Sequence, residues 1–301
     1  MAAVLNSNVA SLWASKNLQG AQSKMADSVE RLSSGLRINR ARDDAAGLGI
    51  ANALTSQING ANQGVRNLND GISLVQTAEG AIAAAQEMAQ RVLTLATQGA
   101  NGTLGNSDRN AIRSEMRQLM IAVDSIAGRT KYSGISVLNE TAISLQSSNV
   151  TTDVITVSAA ALALIGVGTP SGGAGVYTTI GGTFSSGSTT AMALMTKINT
   201  GADNALSATT MNNIATDAAA YITALSTQRG LLGAAQNQIE YTVNNVNELS
   251  SNLSAARSNV QDTDYASETA SLTKGQILQQ AATAMLAQAN QMPNVILSLL
   301  K

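Results

Sequence analysis

Arg37, Arg40, Arg42, Asp43 and Asp44 form a tight cluster of opposite charge, and paired carboxylates are common equipment for hydrolysis. Chain neighbours such as Asp43 and Asp44, however, do not face each other across a substrate. Gly172-Gly173 stands in a Gly/Ser/Thr-rich run with no following lysine, so it makes no phosphate loop. Histidine and cysteine are both absent. That excludes disulfides, thiol nucleophiles and zinc sites built from those ligands. No catalytic role and no cofactor is expected. The cluster reads either as a solvated, helix-breaking connector with weak surface ion pairs or as a joint whose charges set register against another chain.

The elements around it are helical. Leu54, Ile58, Ala61, Val65, Leu68, Ile72 and Val75 recur at alternating spacings of three and four, the stripe of a coiled-coil-like helix. The pattern continues through Ile82, Met88 and Val92 and stops near Gly99. Such a helix would run roughly 80 Å, too long for a compact globule of this size. Asn106 or Ser107 can cap a second helix carrying Ile112, Met116, Leu119, Val123 and Ile126, closed by Gly128. The period then drops to two. Tyr132-Ser133-Gly134 marks a turn, and Ile143, Leu145, Val154, Ile155 and Val157 read as short strands. Residues 169–190 are rich in Gly, Ser and Thr and read as a surface excursion around Val176, Tyr177 and Ile180. Its hydroxyls serve either solubility or attachment of O-linked sugar. Helical pattern resumes near Met192, runs from Met211 through Tyr221, Ile239 and Val246 to Val260, and ends in a last helix with Tyr265, Leu272, Ile277 and Met285.

Both ends of the chain are uncharged and apolar: residues 1–15 and 275–300 carry no charged side chain. Termini are ordinarily polar and frayed, so Leu5, Val9 and Leu12 at one end, and Val295, Ile296, Leu297, Leu299 and Leu300 at the other, ask for a partner. Other copies of the chain are the simplest partner, and these residues are assigned to assembly. Seven amides between Gln276 and Asn294 argue against insertion in a membrane, and residues 1–22 lack the pattern of a cleaved secretory signal. A net charge of −1 gives no footprint for nucleic acid. Only Trp13, Phe184 and five tyrosines supply aromatic area, so Ala, Leu, Val and Ile must fill the core. The fold class is therefore mainly α: a long antiparallel bundle with N- and C-terminal helices paired, a small β region and a short surface loop in the middle.

Leu32-Ser33-Ser34-Gly35-Leu36-Arg37-Ile38-Asn39 and Ala41-Arg42-Asp43-Asp44-Ala45-Ala46-Gly47 closely resemble bacterial flagellin. Asn69-Asp70-Gly71-Ile72-Ser73 and Thr77-Ala78-Glu79-Gly80-Ala81 are similar to the family's next block. At the other end, Leu232-Gly233-Ala234-Ala235-Gln236-Asn237, Asp262-Thr263-Asp264-Tyr265-Ala266, Gln276-Ile277-Leu278-Gln279-Gln280-Ala281 and Ile296-Leu297-Ser298-Leu299-Leu300-Lys301 complete the likeness. It covers roughly residues 1–168 and 215–301.

The resemblance implies a subunit of the flagellar filament that serves swimming motility, with a hook–filament junction protein as the alternative. It implies an inner channel-lining domain of residues 1–44 and 257–301, an outer tube domain of 45–168 and 200–256, and a variable surface segment of 169–199. The terminal helices would fold on assembly. Implied partners are the chain itself, the flagellar export machinery, a flagellin chaperone, the filament cap and hook-junction proteins. Type III export would place the protein outside the cell without a cleaved signal. Some flagellins carry an inserted zinc peptidase, which a chain without histidine cannot. The family's segment similar to Gln90-Arg91-Val92-Leu93-Thr94-Leu95-Ala96 is read by host Toll-like receptor 5, which singles out Arg91, Leu95 and Glu115. Arg91 and Leu95 are four apart and share a helix face, and the same face would serve filament contacts.

Overall fold

The computed structural model describes residues 8–138, 141–162, 194, 198 and 207–299, with side chains up to residue 291 apart from 159 and 160. Its helices are α1 (Val9–Ser34), α2 (Ala45–Gly99), α3 (Asn106–Arg129), the single turn α4 (Ala159–Leu162), α5 (Ala208–Gln261) and α6 (Tyr265–Leu299). Four short strands lie between α3 and α4: β1 (Lys131–Tyr132), β2 (Ile135–Ser136), β3 (Ile143–Gln146) and β4 (Val154–Val157). Among the described residues no helix is long and apolar enough to cross a membrane. The chain divides into two compact units, Met1–Ile58 with Ser251–Lys301, and Asn59–Ser250. Helices α2 and α5 contribute to both.

The first unit pairs α1 with α6 antiparallel. Asn8 Nδ2 donates to Ala289 O at 2.7 Å near one end, and Arg31 meets Glu268 at 3.7 Å near the other. The seam between them is built from small side chains. Ala14, Ala21 and Ser28 are buried on α1, each seven residues from the next, and Gly275 and Ala289 on α6. Seven-residue spacing keeps one face toward the partner over the whole helix, and small residues bring the two backbones close. A Cβ built on Gly275 would stand 3.5 Å from Met25 Cβ.

The second unit packs α2, α3 and α5 around one core. The stripe expected from spacing is the buried one: beyond Ile58, itself buried in the first unit, Ala61, Leu68, Val75, Ile82 and Val92 are buried here, and Val65, Ile72 and Met88 are half-buried. Met116, Met120 and Val123 of α3 and Met211, Ile214, Tyr221, Leu225, Leu232 and Ile239 of α5 meet them. Helix α5 is antiparallel to α2, with Gln86 Nε2 on Ser226 Oγ at 3.3 Å and Ser250 Oγ on Asn62 Oδ1 at 3.1 Å. Leu194 and Ile198 are also buried here.

The strands form two hairpins. Tyr132 pairs with Ile135, and Ile143, Leu145 oppose Val157, Ile155. The β3–β4 hairpin rests on α2 where that helix presents Gly60, Gly64 and Gly71 to Asn149, Ser147 and Leu145. Asn67 Nδ2 adds a bond to Gln146 O at 3.1 Å.

Two expectations need correction. Helix α3 is capped by neither Asn106 nor Ser107: Gly105 is the N-cap, and Asp108 reaches back to accept the Gly105 N–H at 3.2 Å. A carboxylate in the first turn suits the helix dipole, so it displaces the hydroxyl and amide candidates. Gly128 does not close the helix, which runs one residue further to Arg129. The surface excursion at 169–190 lies outside the described residues.

Candidate functional site

Of the residues assigned to assembly, Val9 and Leu12 lie at the start of α1. Val9 is 53% exposed and Leu12 68%, and Trp13 beside them is 64% exposed. On α6, Ile277 is 60% and Met285 63% exposed. The reason is geometric. The seam takes the alanines, serine and glycine at its deepest positions and half-buries Leu18, Met25, Leu32, Leu272 and Leu286, so the apolar side chains on the other faces are turned outward. Val295, Ile296, Leu297 and Leu299 fall within α6, but their side chains, like Leu5 and Leu300, lie outside the described residues.

The charge cluster lies in the turn between α1 and α2. Gly35 ends α1 with φ +73, in the left-handed region where only glycine is free of strain. Its N–H donates to Arg31 O at 2.8 Å. Arg37 N–H then donates to Gln261 O at 2.7 Å and Thr263 N–H to Gly35 O at 3.0 Å, so the turn is stitched to the α5–α6 connection. Arg37 Nη2 donates to Val260 O at 2.7 Å, placing a cation at the C-terminal end of α5. Arg40 pairs with Glu30 at 2.7 Å, and Arg42 with Asp27 at 3.4 Å and Asp43 at 3.5 Å. The two acids cap. Asp44 Oδ1 accepts the Gly47 N–H at 2.8 Å in the first turn of α2, and Asp43 Oδ2 accepts those of Asn39 and Arg40 at 3.2 and 3.0 Å. Each of the five charges thus has a partner in its own chain.

The bond from Arg40 N–H is the largest influence lowering the Asp43 pKa below its ordinary 3.8, with Asn39 N–H, Arg42 and Arg31 acting the same way against desolvation. A lowered folded-state value means that the ionised carboxylate stabilises the turn at all pH above the ordinary one. That contribution disappears as pH falls through the lowered value. Amide exchange at Asn39 and Arg40 should therefore accelerate in that acid range, and Asp43→Asn should remove the step. Asp44→Ala should lower stability by about 0.5–2 kcal/mol through the lost cap, while Asp44→Ser should retain most of it. Denaturant titration checks both.

The third set does not form one exposed face. Arg91 Nε and Nη2 both donate to Glu115 Oε1, at 3.1 and 2.8 Å, and both side chains are exposed. Leu95 is only 2% exposed and joins the core with Val92, Met116 and Met211. Four residues turn a helix by about 40° beyond a full revolution, which here carries the chain from the margin of the buried stripe into it. The apolar knob expected beside Arg91 is absent from the surface. Leu95→Ala should cost about 2–5 kcal/mol in chemical denaturation, whereas Arg91→Ala should cost at most about 1 kcal/mol.

None of these arrangements offers acid, base and nucleophile to one point. Two sequence families match the chain, described as "Bacterial flagellin N-terminal helical region" over residues 5–142 and "Bacterial flagellin C-terminal helical region" over 215–300. The chain belongs to the bacterial flagellin family. Flagellin of Bacillus subtilis (strain 168) is 38% identical, over 99% of each chain. Flagellin B of Vibrio cholerae serotype O1 is 34% identical over the whole of both chains. The "Flagellar filament 33 kDa core protein" of Treponema phagedenis is 34% identical, over 99% of this chain and all of that one. This flagellin is accordingly a structural, self-polymerising subunit of the flagellar filament.

Spacing did not disclose everything in this flagellin. Arg109, the most buried positively charged side chain among the described residues, donates from Nε to Gly99 O at 3.0 Å and from Nη2 to Asn101 O at 2.9 Å. It closes the C-terminal end of α2 from the first turn of α3. In the sequence it is one arginine among several on a polar helix start. Gly60, Gly64 and Gly71 carry no signal in their own segment, because their purpose is set by a hairpin some eighty residues away.

Proposed function

We propose that this flagellin polymerises by burying the outward apolar side chains of α1 and α6 against other copies. The observation that carries the reading is the row of large apolar side chains that the helix pair leaves outside its seam: Leu12, Trp13, Ile277 and Met285 are exposed, while Ala14, Ala21, Ser28 and Gly275 are buried and Leu18, Met25, Leu32, Leu272 and Leu286 half-buried. An alanine methyl in the seam is worth about 0.8 kcal/mol, whereas each leucine-sized side chain left outside would return about 1.5–3 kcal/mol on burial. The pair holds little of its own stability, and polymerisation supplies the remainder. Folding of the termini on assembly follows from that imbalance.

On this reading residues 1–44 and 257–301 line the filament channel, 45–168 and 200–256 form the surrounding tube, and 169–199 lie at the surface. The cluster of Arg37, Arg40, Arg42, Asp43 and Asp44 is the joint between the first two. The subunit leaves the cell through the flagellar export machinery, accompanied by a flagellin chaperone, and joins the filament between the hook-junction and cap proteins.

Removal of residues 294–301 tests the assembly reading. A soluble, helical monomer that no longer forms filaments in electron micrographs is the expected result. Unchanged filaments would show that the tip is not part of the assembly surface.

Host Toll-like receptor 5 is proposed as a partner through Arg91 and Glu115, whose paired charges are accessible in the single chain. Leu95 supports this face from the core. Monomer should activate the receptor, and Arg91→Ala with Glu115→Ala should reduce activation with helix content intact. A silent wild-type monomer would leave these residues with a filament contact alone.

A further inference from the structure

The turn joining α2 to α3 holds Asn101-Gly102, and we propose that it is a site of spontaneous deamidation and isoaspartate formation. Asn101 and Gly102 are both exposed. Thr103 N–H donates to Asn101 Oδ1 at 3.2 Å, which folds the side-chain amide back over the following peptide. Gly102 N–H donates to no group among the described residues, so its nitrogen is available. Base removes the Gly102 amide proton and the nitrogen attacks Asn101 Cγ. The N–Cγ bond of a succinimide forms, and the side-chain nitrogen departs as ammonia. Negative charge develops on Oδ1 during the attack, the atom that Thr103 N–H already serves. Water then opens the ring at either carbonyl, giving aspartate or isoaspartate.

Arg109 gives the product a place. The Asn101 carbonyl oxygen accepts from Arg109 Nη2 at 2.9 Å and from Leu104 N–H at 3.3 Å. In isoaspartate the chain continues through the former side chain, and the carbon bearing that oxygen becomes a free carboxylate. An ion pair between that carboxylate and the buried guanidinium then replaces the guanidinium's bond to a neutral carbonyl, which keeps the lengthened turn tied to α3.

The molecule carries its own comparison. Asn59-Gly60 has the same dipeptide inside α2, where the helical ladder takes the Gly60 N–H and fixes the backbone. Full-length monomer is incubated at mildly alkaline pH and its peptides are weighed over time. The Asn101 peptide should gain about 1 Da and resolve into two products, at a rate about tenfold or more above the Asn59 peptide. Gly102→Ala should slow conversion by about tenfold, because a Cβ crowds the attacking nitrogen. A Cβ there meets nothing within 4 Å, so the fold is untouched. Equal rates at Asn59 and Asn101, or no effect of Gly102→Ala, would overturn the assignment. Helix content should survive complete conversion, and its loss would overturn the part given to Arg109.

Discussion

A chain carrying Leu12→Asp and Ile277→Asp is expected to remain a soluble, helical monomer at concentrations where the parent sequence forms filaments. The two side chains are 68% and 60% exposed in the single subunit. Exposed positions of this kind tolerate exchange within about 0.5 kcal/mol, so monomer stability should hardly move. In a polymer that covers them, each carboxylate must be dehydrated or protonated in an apolar contact. Even about 2 kcal/mol per site, a modest share of the cost of burying an ion, raises the critical concentration roughly a thousandfold for the pair. The penalty recurs in every subunit, because a helical polymer repeats one contact throughout. Sedimentation and electron microscopy of both proteins at matched concentration would decide. Filaments at the parent concentration would remove α1 and α6 from the assembly surface. A monomer that loses its helices would mean that these side chains already serve the isolated fold.

Gly64→Ala should be the most damaging single methyl in the second unit. A Cβ at this position would stand 1.8 Å from Ser147 O and 2.4 Å from Ser147 C. Those are backbone atoms of the β3–β4 hairpin and cannot rotate aside. The competing effect has the opposite sign, since alanine in place of a helical glycine stabilises by about 1 kcal/mol. Overpacking of a tight contact typically costs about 1–3 kcal/mol and sometimes more, so steric exclusion wins and net stability falls. The hairpin should lift from α2, losing the Asn67 bond to Gln146 O. Amide protection at residues 143–157 should drop before that of α2. A rise in thermal stability would show that the hairpin has no fixed seat on the glycines. Gly80, which has nothing within 4 Å of its Cβ position, should show the reverse sign as Gly80→Ala, the helix-propensity gain alone.

The helices and the short strands could be read from the sequence because their information is local. A face that must be buried repeats every three or four residues, and Ile58, Ala61, Leu68 and Val75 announce theirs without reference to any other element. Family blocks such as Leu32-Ser33-Ser34-Gly35 are equally local, since Gly35 meets a left-handed backbone that its own turn demands. What spacing could not decide was the outcome at the margin of a stripe. Arg91 and Leu95 share a face in sequence, yet one pairs with Glu115 in solvent and the other is buried. Only the positions of α3 and α5 draw that line. Asp43 and Asp44 look alike in the chain, but one closes a turn and the other starts α2, because their acceptor geometry is set by which N–H groups the backbone leaves open. Gly64 looks like a flaw in a long helix until Ser147 is brought against it. Periodicity belongs to one segment and is written there, while steric exclusion, capping and burial at a boundary belong to pairs of segments and exist only once the chain has brought them together.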